Sequence, residues 1–98
     1  MNALKEIAAE RKRQIEKEGW SFEHDDEHDD GSLAQAAAWY ATRHADAPAS
    51  GHARAAWPSS WAWSWKKPKD AHRNLIIAGA LILAEIERLD RKQAENIR

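Results

Sequence analysis

Wound at about 100° per residue, the first eighteen residues bring Leu4, Ile7, Ala8 and Ile15 onto one face. This predicts a first helix over residues 2–18, with Asn2 as its N-cap and Gly19 as its stop. Arg11 stands at the centre of that face and Glu18 at its edge. A guanidinium so placed either snorkels to the rim and pairs with Glu18 or waits in an apolar wall for an anion. A second helix is predicted over 32–45, capped by Asp30 or Ser32, with Leu33, Ala36, Ala37, Tyr40 and His44 on its inner face. The third and clearest helix covers 74–94, with Asn74 or Asp70 near its start. Leu75, Ile82, Ile86 and Leu89 form one seam along it, and Ile77, Leu81 and Ala84 lie on the opposite side. A helix apolar on both sides needs cover from more than one direction. Between helices two and three runs a connection over 46–73, rich in Ala, Pro, Ser, Gly and Trp, longer than a compact domain carries without a role for it. The pattern as a whole predicts an all-α fold, a single domain over 1–98 built from three helices and a tryptophan-rich connection.

Composition adds two points. Of the 98 residues 43% are hydrophobic, but many of these are alanines that bury little area each, so the core is thin and a homo-oligomer is expected. A formal net charge of −1 argues against extended nucleic acid as a partner, which needs a broad basic surface. No cysteine is present, so neither disulfides nor thiolate metal sites enter. The longest apolar run, 75–84, is half of the ~20 residues a bilayer span requires, and residues 1–10 lack a signal-like apolar stretch. A cytoplasmic protein with no membrane contact is expected.

Two segments carry candidate chemistry. Glu23 to Asp30 places six carboxylates and two imidazoles in eight residues. Such a density is relieved by a cation, by nearby arginines or by plain solvent. His24 and His28, four apart, project from one face of a helical turn with Asp25 or Asp29 near enough to complete a shell. Carboxylate with imidazole suits zinc, manganese or iron, and carboxylates alone suit magnesium. Asp26, with Glu85, Glu87 and Asp90 on the third helix, are further donors, Glu85 being the one best read as plain solvated surface. The plainer alternative is a solvated leader into the second helix. Downstream, Trp61, Trp63 and Trp65 alternate with small residues, so an extended segment would put all three on one face. Trp20 and Trp39 are expected in the core. Indole faces beside Lys66, Lys67, Lys69 and Arg73 suit a purine base and its phosphates, and equally a protein interface. His44, His52 and His72 are isolated, and no glycine-rich phosphate loop or serine nucleophile signature occurs.

The motifs from Glu10 to Gln14, Glu18-Gly19-Trp20, Glu23 to His28, Trp65-Lys66-Lys67-Pro68 and Ala78 to Arg91 resemble a widespread family of small proteins encoded by phages and prophages. The resemblance covers most of the chain and implies a setting, a phage accessory protein in the host cytoplasm. Residues 11–20, an arginine-bearing helix ending in Glu-Gly-Trp, are also similar to the ryanodine-receptor repeat domain, although the His-Pro and Tyr pattern of that repeat does not follow. That similarity implies Arg11 and Trp20 as contacts to a nucleotide-type ligand.

Three functions follow as expectations. The first is binding, and sequestration, of an anionic nucleotide-type ligand that signals host defence. Arg11, Lys66, Lys67 and Arg73 would meet phosphates while Trp20 and Trp61, Trp63 or Trp65 stack the base. The second is a divalent-metal nucleotide hydrolase using His24, Asp25, Asp26, His28, Glu87 and Asp90. The third is a protein inhibitor that docks its tryptophan belt on a host enzyme.

Overall fold

The computed structural model describes residues 2–42, 57–62, 65 and 70–97. Among them are four helices: α1 (Ala3–Lys17), α2 (Phe22–Glu27), α3 (Ser32–Ala41) and α4 (Ala71–Ile97). The fourth, unforeseen helix is α2, in the acidic stretch. It forms because Ser21 caps it, its hydroxyl accepting the His24 N–H at 3.2 Å, and because the acids of its first turn complement the helix dipole.

The remaining boundaries follow from local capping. Asn2 Oδ1 accepts the Leu4 N–H at 2.9 Å, and Gly19, with φ of 74°, turns the chain after α1 so that the Trp20 N–H reaches the Gln14 carbonyl. At α3 the cap residue is Gly31, and Asp30 serves it through Oδ1, which accepts the Ser32 N–H at 3.0 Å. Both the N–H and the hydroxyl of Thr42 bond to the Ala38 carbonyl, and residues 43–45 of the predicted helix lie outside the described residues. His44, His52 and most of the 46–73 connection lie outside the described residues. Asp70, not Asn74, caps α4, its Oδ1 accepting the Arg73 N–H at 2.8 Å, and the helix exceeds its predicted bounds at both ends.

The core lies between α3 and α4, the most extensively packed pair. Leu33, Ala36, Ala37 and Tyr40 turn inward as the pattern predicts, against Ile77, Leu81 and Ala84, with Trp39 and Trp61 completing the cluster. Small alanines let the two helices approach closely. On its other side α4 meets α1 at Gly79, where an added Cβ would stand 3.0 Å from Ile7 Cδ1. The stripe that α1 buries is not the apolar one. Leu4 is 73% exposed, whereas Glu10, Arg11 and Gln14 are buried. The seam of Leu75, Ile82, Ile86 and Leu89 stays 44–49% exposed, since α3 takes the opposite face of α4. No helix among the described residues is long and apolar enough to cross a membrane.

Candidate functional site

The polar stripe of α1 builds two clusters, one structural and one open to solvent. Arg11 heads the first. Its Nη2 donates to Asp25 Oδ2 at 2.7 Å and its Nε to Glu87 Oε1 at 3.0 Å, so one guanidinium ties α1 to α2 and to α4. Asp25 is wholly buried, and its second oxygen lies 3.1 Å from His24 Nδ1. Burial of both partners makes this a structural tie, with Arg11 Nη1 left buried and without a partner among the described residues. Nearby, Arg91 reaches Asp26 Oδ1 at 2.7 Å and covers the Phe22 ring, and Arg88 pairs with Glu85 at 2.6 Å. Arginines therefore relieve the crowding of the acidic stretch. Among the described residues no group of three or more His, Asp or Glu is placed to hold a metal ion. Of the six residues expected as ligands, Asp25 and Glu87 meet at Arg11, His24 and His28 meet each other, Asp26 faces Arg91, and Asp90 is exposed.

The second cluster surrounds Glu10. Its side chain is fully buried, yet it accepts from Arg13 Nε at 2.8 Å and Nη2 at 2.9 Å, from Gln14 Nε2 at 3.2 Å, and from Arg73 Nη2. Arg13 spans onward to Glu18 Oε1 at 3.0 Å. The hydrogen bond to Glu10 outweighs desolvation and raises the Arg13 pKa further above its already high value. Residues 10, 13 and 14 are three and four apart, so a single face of α1 presents them all.

Above this cluster opens a hollow of about 380 Å³. Trp20, Tyr40, Trp65 and Ile77 form its apolar walls, and Glu10, Arg13, Gln14, Glu18 and Arg73 its polar side. The volume falls within the range of small-molecule sites, roughly 300–1,000 Å³, and the mixture of flat rings with a few polar groups is their usual lining. Both guanidiniums remain accessible, with side chains 41% and 39% exposed.

Imidazoles and indoles from the two conspicuous segments meet beside this hollow. Trp20 stacks on His24 at 5.5 Å, His24 meets His28 at 4.7 Å, and His28 lies 5.2 Å from Trp61 and 6.3 Å from Trp65. The ladder continues through Trp57 to Trp39. Burial, then the neighbouring charge of His24, lowers the His28 pKa below its ordinary 6.5. At its described residues the tryptophan segment turns. The Trp61 N–H bonds to the Pro58 carbonyl and the Trp65 N–H to the Ala62 carbonyl, and these turns bring the two rings within 5.5 Å. Trp61 is 5% exposed and belongs to the core, while Trp65, 41% exposed, faces the hollow.

Of the residues expected at a ligand site, Trp20, Trp65 and Arg73 line the hollow together. Arg11 and Trp61 are taken up in the interior, and Trp63, Lys66 and Lys67 lie outside the described residues. Sequence reading missed Glu10, Arg13, Gln14, Glu18 and Tyr40. Their signal was present in the three-and-four spacing of Glu10, Arg13 and Gln14, a polar stripe beside an apolar one. No known family model, curated protein or solved structure matches the chain.

Proposed function

We propose that the chain binds an anionic nucleotide-type ligand in the hollow between α1, α3, α4 and Trp65. One observation carries the reading: three aromatic side chains and two accessible guanidiniums converge on one space sized for a small molecule. Trp20 and Trp65 would hold the base by stacking, worth about 1–3 kcal/mol per base. Arg73 and Arg13 would meet the phosphate. Arg73 rests one nitrogen on Glu10 and would offer the rest of its guanidinium to the ligand, while Arg13, held by Glu10 and Glu18, would add its charge beside it. The lining carries two carboxylates and two guanidiniums, a balance that suits a nucleoside monophosphate better than a highly charged polyphosphate. Nothing in this reading requires turnover, and tight holding without chemistry fits a phage accessory protein that withdraws a signalling nucleotide from host defence. A second copy packed on the α4 seam would make the protein a homo-oligomer, since the seam's spacing of seven, four and three residues is that of helices paired along their length.

The test is a panel of nucleoside monophosphates followed by thermal unfolding. Binding is expected to raise the Tm by an amount that grows with ligand concentration. Trp65→Ala should abolish that rise and leave the unliganded Tm nearly unchanged, because the ring is half exposed. Trp61→Ala should instead lower stability by about 3–5 kcal/mol, the cost of emptying a core aromatic site. Absence of any shift across the panel would remove the proposal.

A further inference from the structure

Gln14 carries an unused acceptor. Its side chain is 1% exposed and borders the hollow, and its Oε1 has no hydrogen-bond partner among the described residues. Which end of the amide faces which way is settled by chemistry. Glu10 accepts from two guanidiniums, and a carboxylate oxygen so engaged offers no donor to the amide. The amide must therefore turn its nitrogen to Glu10, as the 3.2 Å contact has it, and its oxygen elsewhere. The nearest guanidiniums are turned to carboxylates instead. Arg13 spends its donors on Glu10 and Glu18, and the Arg73 donor nearest the cluster meets Glu10. A buried acceptor without a partner is uncommon and costly, so its place beside a hollow of ligand size points to a donor arriving with the ligand.

Resting on the nucleotide reading above, we infer that Gln14 selects bases that carry an exocyclic amino group, as adenine and cytosine do. With the ring stacked on Trp20 or Trp65 and the phosphate toward the arginines at the accessible side, the base edge is the part of the ligand that enters deepest. An amino group there donates to Gln14 Oε1. A base of the same shape with hydrogen in that position leaves the amide oxygen without a donor. Gln14 is in this sense the specificity-determining residue of the site, while stacking supplies the affinity shared by every base.

The experiment compares ligands that differ by that amino group alone. Isothermal titration would measure adenosine monophosphate against purine riboside monophosphate, and cytidine monophosphate against its 4-deamino analogue. The amino-bearing member of the better-binding pair is expected to bind about tenfold more tightly, the ratio that one missing partner for a buried acceptor brings. Gln14→Met keeps the volume and removes the acceptor, and the ratio should then fall to about one whatever happens to the absolute affinities. Equal binding of both members by the unaltered protein would overturn the selection by Gln14 and leave the nucleotide reading intact. Failure of all four compounds to bind would overturn the selection, and failure of the whole monophosphate panel would overturn the nucleotide reading with it.

Discussion

Arg11 and Arg13 show how two residues apart on one helix acquire opposite roles. Arg11 points between helices, where Asp25 and Glu87 enclose it; Arg13 lies toward the solvent edge, where its guanidinium is held by Glu10 but stays accessible. A buried pair is expensive to break because the partner left behind keeps its charge in a dry place. Arg11→Met is therefore expected to destabilise the fold by about 3–5 kcal/mol in urea unfolding, since Asp25 would retain only His24. The double change Arg11→Met with Asp25→Leu should recover most of that loss, because neither charge is then stranded. A single variant as stable as the parent would mean that Arg11 is not the tie described.

At the scale of elements, the helices divide between packing and presentation. α3 is almost wholly committed to the core, and α1 spends its buried stripe on polar groups that fasten α2 and α4 and frame the hollow. α4 has two apolar faces and fills only one of them within the chain. If a second copy covers the other, Ile82→Lys should convert a dimer to a monomer in sedimentation. It should alter the unfolding of the monomer little, as Ile82 is 49% exposed there. A parent protein that sediments as a monomer at all concentrations would discard self-association through α4.

The molecule as a whole is joined by its aromatic ladder, which runs from α1's end through both imidazoles and the tryptophan turns to α3. That arrangement carries a pH dependence. Burial lowers the His28 pKa in the folded state, so below 6.5 the unfolded chain takes up the proton more readily than the folded one. This contribution is fully present above pH 6.5 and is lost as the pH falls toward the lower folded value. The Tm should decline on acidification through that window, and His28→Gln should make the decline shallower. A profile identical in both proteins would separate His28 from the acid sensitivity.

Much of the fold was legible along the chain. Asn2, Gly19 and the inward Leu33, Ala36, Ala37 and Tyr40 behave as local propensity and period demand, because capping and helix phase are settled by neighbours a turn away. α2 was not foreseen, because its six residues carry no apolar period, and the tie that holds them, Asp25 to Arg11, joins positions fourteen apart. Residue type and spacing likewise pointed to Trp20, Trp65 and Arg73. They did not tell Trp61 from Trp65 or Arg11 from Arg13, since members of each pair differ only in which side of the packed helices they face. Sequence alone determined the helical class, the Asn2 cap and Gly19 stop of α1, and the supply of rings and guanidiniums. Tertiary packing alone decided which of them lie in the interior and which are left facing a hollow, because burial depends on what the other helices cover.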